Sequence, residues 1–168
     1  MSIAPGKKDP NGWHSAHHRD LDTDLTALYK QFPVDVWVAL METWEYPKYQ
    51  IPDLFTKVEQ RSSRVVHYPI VDIDVPVDMP EFIGLIAHLA EDLKSGSNVL
   101  VHCKGGLGRT GLVVASILVH QRHSPKEAIE ITRATRPGTI QTEAQEDWVY
   151  SYAQRAFNVA PRSFLVRN

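Results

Sequence analysis

Apolar positions along this chain alternate between two spacings. Leu21, Leu25 and Leu28 recur at helical intervals, so "DLDTDLTALYK" predicts a short amphipathic helix. "VDVWVAL" (34–40) is a β-rich apolar run and predicts a buried strand. Pro52 suits the first turn of a helix through "DLFTKVE", and "RVVHYPI" (64–70) predicts another strand. "DMPE" then opens a long helix. Asp78 and Glu81 have capping-box spacing, Pro80 sits in the first turn, and Phe82, Ile83, Ile86, Leu89, Ala90 and Leu93 form one apolar face that ends at Gly96.

"NVLVH" (98–102) predicts a short strand, and "TGLVVASILVHQ" (110–121), apolar nearly all round, predicts a deeply buried helix. "SPKE" (124–127) and "TEAQ" (142–145) are capping boxes that start two further helices, the first ending at "RPG". Strands thus alternate with helices, which dominate the C-terminal half. The implied class is α/β, with a central, mostly parallel sheet flanked by helices. No repeat or low-complexity stretch interrupts the pattern, so residues 1–158 are expected to form a single domain, with 159–168 as a C-terminal tail.

Composition narrows the function classes. The chain has 168 residues, 43% of them hydrophobic, and a formal net charge of −2. That suits one ordinary domain with a sizeable core. It argues against a basic nucleic-acid-binding surface, so an anionic substrate would need a local positive site. No apolar run is long enough to span a bilayer, and "MSIAPGKKDP" lacks the apolar core of a secretory signal, so a cytoplasmic protein is expected. The single cysteine, Cys103, has no partner in the chain for a disulfide.

A lone cysteine is ordinarily an inert packing residue. The surroundings of Cys103 argue otherwise. In "VHCKGGLGRTG" (101–111) it ends a predicted strand, and a helix starts near Arg109. Helix N-termini carry unpaired N–H groups and partial positive charge. The residues between them, Lys104, Gly105, Gly106, Leu107 and Gly108, can curl so that successive amides face one centre, with the glycines permitting positive φ. Arg109 adds a planar fork of donors. Such a loop holds a phosphate-sized dianion above Cys103, and the same field favours a nucleophilic thiolate. The Thr110 hydroxyl stands ready to hydrogen-bond the sulfur and ease its departure in a second step. His102 is expected to orient the loop rather than act as a base.

"HCKGGLGRT" resembles the signature of the cysteine-dependent protein phosphatase superfamily: His-Cys, five residues, Arg, then Ser or Thr. Expelling an alkoxide or phenolate also requires an acid. "YPIVDIDVPVDMPE" offers Asp72, Asp74 and Asp78, of which Asp78 is better used as a helix cap. The superfamily places its acid four residues before a proline, which selects Asp72 with Pro76; Asp74 is the alternative, and the family's Trp-Pro pair before the acid is absent. "IQTEAQ" (140–145) resembles the glutamine loop of tyrosine phosphatases, with Gln141 to position water and Gln145 in a capping position.

The resemblance covers roughly residues 3–155. "IAPGKKDPNGWHSAHHRDLDTDLTAL", "EYPKYQIPDLF" and "HYPIVDIDVPVD" are similar to the kinase-associated, cyclin-dependent-kinase-inhibitor type of dual-specificity phosphatase. This implies a sheet of about five strands and hydrolysis of phosphotyrosine, phosphoserine and phosphothreonine through a cysteinyl phosphate. It also implies a phosphorylated protein or peptide as substrate, a kinase as possible partner, and no cofactor or metal. Lysines inside this loop also occur in phosphoinositide phosphatases, so Lys104 either tunes the loop for more highly charged substrates or faces solvent. The rival readings are a phosphoinositide, inositol phosphate or RNA 5′-phosphate phosphatase, a non-catalytic phosphate-binding module, and a rhodanese-type sulfurtransferase. His14, His17 and His18 of "HSAHH" read as surface residues, and Trp44 and Tyr46 as pocket rim or packing.

Overall fold

The computed structural model describes residues 1–12 and 15–157, so His14 and the expected tail at 159–168 lie outside it. In chain order the elements are β1 (Ser2–Ile3), β2 (Lys8–Asp9), β3 (His17–His18), α1 (Leu21–Gln31), β4 (Val36–Ala39), α2 (Glu45–Lys48), α3 (Leu54–Glu59) and β5 (Arg64–His67). After these come α4 (Met79–Lys94), β6 (Val99–Cys103), α5 (Gly108–His120), α6 (Pro125–Thr135) and α7 (Glu143–Ala156).

The main sheet has four described strands, ordered β1-β6-β4-β5, and every pairing is parallel. This is one strand fewer than the five expected. The remaining pair, β2 and β3, forms a separate antiparallel ribbon, Lys8 facing His18 and Asp9 facing His17. The expected β5 also shortens, because Tyr68 and Ile70 bond to β4 and the residue after it and then leave the sheet for the acid-bearing loop.

Strand β4 shows why its sequence is apolar without alternation. Val36, Val38 and Leu40 join one core with residues of α4, α5, α6 and α7. Trp37, Ala39 and Met41 face the other way, into a core with Leu25 of α1 and Leu54 and Val58 of α3. A parallel strand covered on both faces buries both sets of side chains. Helix α5, apolar all round, is packed against α4, α6 and α7.

Among the described residues, four helices carry a side-chain cap at the N-terminus. Asp20, Asp78, Ser124 and Thr142 each accept from the backbone N–H three residues on. Helix α5 has none: its cap position is Leu107, which makes no side-chain cap bond. Its first amides stay available for a ligand. They lie where β6 hands over to α5, at the carboxyl edge of the sheet, which is where open parallel α/β sheets hold their ligands.

Candidate active site

Residues 104–107 form the turn between β6 and α5. Cys103 is buried beneath it, and the Gly106 N–H donates to Cys103 Sγ at 3.3 Å. Of the loop glycines only Gly106 adopts a positive φ, +68°, and a Cβ there would lie 2.3 Å from the Ser2 carbonyl oxygen. The loop is therefore clamped against β1, whose Ile3 is in register with Cys103, and the Ala4 N–H reaches the Lys104 carbonyl. Gly108 serves a different end: a Cβ there would lie 2.8 Å from Gln141 Oε1 and 3.0 Å from the Gln145 amide. Its missing side chain lets both glutamines close on the start of α5.

Arg109 is almost wholly buried, at 1% exposure, and so is Glu45. Arg109 Nη1 donates to Glu45 Oε2 at 2.7 Å and Nη2 to Glu45 Oε1 at 3.2 Å, a two-pronged ion pair. Nη1 also donates to the carbonyls of Ile70 at 2.9 Å and Leu40 at 3.4 Å. Glu45 is held in turn by the Glu42 N–H at 2.8 Å. Burial works against the charge on Arg109, but the Glu45 bonds and the charges of Cys103 and Asp72 outweigh it and hold the guanidinium pKa above its ordinary value. Arg109 Nε is buried and has no partner, so a donor remains for an incoming oxyanion.

Asp72 meets this arginine: Nη2 donates to Asp72 Oδ1 at 2.8 Å, and the carboxylate is 46% exposed. Asp74 does not reach the site. It accepts from the Val75 N–H at 2.8 Å and is exposed. Ile73 stands between them at φ 60°, a left-handed conformation that is strained for a β-branched residue, and at this turn the two carboxylates part.

Gln141 lies against Gly108 and lines the same cavity as Asp72 and Lys104. Gln145 departs from the reading as a capping-box partner. Its N–H is taken by Thr142 Oγ1 at 3.2 Å, but its side chain does not return to the cap. Instead Oε1 accepts from the Gln141 N–H at 2.9 Å and Nε2 donates to the Asp74 carbonyl at 3.1 Å. Gln145 thus ties the acid loop to the glutamine loop.

The expected bond from Thr110 to the sulfur is not formed. Thr110 Oγ1 is buried and has no hydrogen-bond partner, and the bond to Cys103 Sγ comes from the Gly106 amide instead. Lys104 is not free in solvent: its Nζ is 5.4 Å from the Tyr49 ring centre and 4.0 Å from Asp72 Oδ2. Trp44 is exposed, with Lys48 over its ring, whereas Tyr46 is buried against Phe55. No group of three or more His, Cys, Asp or Glu side chains among the described residues is placed to hold a metal ion. No helix among them is long and apolar enough to cross a membrane.

His102 is fully buried, packs its ring edge-on to Trp37 and pairs Nδ1 with the Cys103 carbonyl at 3.4 Å. Burial pushes its pKa down to about 4, the Cys103 carbonyl opposing and Arg109 and His67 reinforcing. The folded protein therefore keeps His102 neutral where the unfolded chain, with a pKa of 6.5, takes up a proton. This contribution to stability is full above the unfolded pKa and falls away as the pH drops toward 4. It amounts to a loss of about 2 kcal/mol at about pH 5. Urea unfolding at about pH 7 and 5 is expected to show that loss, and His102→Gln to reduce it; equal losses in both proteins would refute the assignment.

Comparison with known proteins agrees with this geometry. Residues 21–149 match the family model described as "PTP-SAK: Swiss Army Knife protein, DSP-PTPase phosphatase domain". Cyclin-dependent kinase inhibitor 3 of Rattus norvegicus is 32% identical over 154 residues, covering 89% of this chain and 72% of the relative. A crystal structure of kinase associated phosphatase, with its catalytic-site cysteine replaced by serine, superposes with a TM-score of 0.83 at 27% identity, over 94% of this chain and 86% of that one. Tk-PTP in its active form gives a TM-score of 0.69 at 30% identity, over 91% and 99%. With a glycine-bearing loop folded over the chain's one thiol and running into the uncapped helix start that carries Arg109, the fold and these relatives show that the chain belongs to the DSP-PTPase family of dual-specificity phosphatases and is a protein phosphatase.

Proposed function

We propose that the chain hydrolyses phosphotyrosine and phosphoserine or phosphothreonine in proteins through a phosphocysteine on Cys103. The amides of residues 104–109 and the Arg109 guanidinium hold the three non-bridging oxygens, and Cys103 Sγ attacks phosphorus in line with the leaving oxygen. The P–O bond breaks as the S–P bond forms. The Asp72 carboxyl gives its proton to the departing oxygen. Water positioned by Gln141, with Asp72 as base, then attacks phosphorus, releases inorganic phosphate and restores the thiolate.

The observation that carries this reading is the 2.8 Å contact between Arg109 Nη2 and Asp72. It brings the candidate acid to the donor edge that a phosphoryl group needs, so a substrate oxygen displaces the carboxyl from Arg109 toward the leaving group. The kinship with kinase associated phosphatase and cyclin-dependent kinase inhibitor 3 supports a phosphorylated kinase as partner.

Asp72→Asn tests the acid. It is expected to lower kcat by about 10²-fold to 10³-fold on a phosphothreonine peptide, whose alkoxide is a poor leaving group, and by much less on an activated aryl phosphate. A larger loss from Asp74→Asn would reassign the acid.

A further inference from the structure

A cavity of about 540 Å³ adjoins the phosphate loop, and its lining includes Lys7, Lys104 and Arg136 as well as Asp72 and Gln141. The mechanism above leaves two of these cations, Lys7 and Arg136, without a task and uses only the backbone of the third. Lys7 is 3% exposed, an unusual state for a lysine. Its Nζ is 3.6 Å from Asp9 Oδ2, a loose ion pair, and that oxygen is buried with no hydrogen-bond partner. Lys104 Nζ stands 3.9 Å from the same oxygen and 4.0 Å from Asp72 Oδ2. Arg136 Nη2 donates to the Gly105 carbonyl at 3.3 Å, which fixes it to the rim of the loop, and its Nε is buried without a partner.

Lys7 and Lys104 therefore share Asp9 at loose distances, and the other carboxylate near Lys104, Asp72, has to turn toward the leaving group during the reaction. Burial pulls the Lys7 pKa down and the neighbouring Lys104 adds to this, against the pull of Asp9 and Cys103. An arriving anion offers Lys7 and the unpartnered Arg136 Nε closer charge-assisted bonds than they have in the free protein.

We propose that Lys7, Lys104 and Arg136 form a second anion subsite beside the phosphate loop, which takes a further phosphate or carboxylate carried by a phosphopeptide near its scissile phosphoresidue. The inference rests on the protein phosphatase reading and names the substrate feature that this enzyme selects. A structural role alone, pinning the N-terminal segment to the loop, predicts no such selection.

The test measures kcat/KM on a singly phosphorylated threonine peptide and on the same peptide with a second phosphothreonine two residues away. The wild-type enzyme is expected to favour the second by on the order of tenfold. Lys7→Met, which keeps the length of the buried stem, and Arg136→Gln at the rim are each expected to reduce that ratio to within about threefold, whatever their turnover of p-nitrophenyl phosphate. An absent wild-type preference, or variants that slow both peptides equally, would overturn the subsite. Faster turnover of a soluble phosphatidylinositol bisphosphate than of the doubly phosphorylated peptide would overturn its assignment to peptides. Turnover of the singly phosphorylated peptide tests the phosphatase reading separately, so the two can fail independently.

Discussion

Cys103→Ser is expected to lower turnover of p-nitrophenyl phosphate by at least about 10⁴-fold while tungstate still binds. The reason lies in the nucleophile alone. Cys103 Sγ sits under the turn with the Gly106 N–H directed at it, 3.3 Å away, at the start of a helix with no side-chain cap. Sulfur is intrinsically the better nucleophile and a thiol ionises far more readily than an alcohol, so a serine hydroxyl, which stays protonated near neutral pH, attacks poorly. The cradle itself is made of backbone amides and Arg109, none of which the substitution removes. Serine keeps an acceptor for the Gly106 amide, so the fold should persist, and thermal stabilisation by tungstate measures the intact cradle. Turnover within about tenfold of wild type would refute covalent catalysis by this residue.

Arg109→Lys is expected to reduce kcat/KM by about 10³-fold or more and also to destabilise the protein by roughly 3 kcal/mol. A lysine retains the charge but not the planar fork. Arg109 uses that fork to bond both oxygens of Glu45, the Ile70 carbonyl and Asp72 together, with Nε left over. A single ammonium cannot satisfy the buried Glu45 carboxylate and still present two donors to a phosphate. Glu45→Gln is the informative companion: it removes the buried anion but leaves the arginine, so it should loosen the guanidinium and raise KM more than it lowers kcat. Kinetics and urea unfolding of the two variants, measured together, separate clamp from scaffold. Wild-type kcat/KM in Arg109→Lys would show that point charge suffices and that the fork is not the clamp.

The longer elements were legible because periodicity is local. Leu21, Leu25 and Leu28 marked α1, and the buried run at 34–40 marked β4, from neighbours within a few residues. Ser124 and Glu127 close a reciprocal capping box at the start of α6, as their spacing implied. The two-residue strands β1, β2 and β3 were not legible, since two residues carry no period, and they exist only because β6 offers a partner to β1 and because β2 and β3 pair with each other. Gln145 had the spacing of a cap, yet its side chain went to the Asp74 carbonyl, 71 positions away.

The same division runs through the site. "HCKGGLGRT" placed Cys103, the loop and Arg109 in one segment, so their juxtaposition needed only a strand, a turn and a helix. Asp72 followed from its spacing to Pro76 once the resemblance was recognised, and the contact with Arg109 is where the fold delivers it. Glu45 and Lys7 were missed. Glu45 stands among aromatic residues with nothing local to mark it, and Lys7 lies in a turn-rich stretch that reads as solvated surface. Their signals are burial and pairing, which no local pattern carries.

By itself the sequence determined the class of fold and the chemistry of one loop, because nucleophile, amides and arginine are contiguous there. The tertiary structure alone decided which carboxylate meets Arg109, which one locks it, and which cations gather beside the loop. Those choices depend on parallel strands β4, β5 and β6 ending at one edge of the sheet, so that residues 37 to 64 positions apart come within hydrogen-bonding distance.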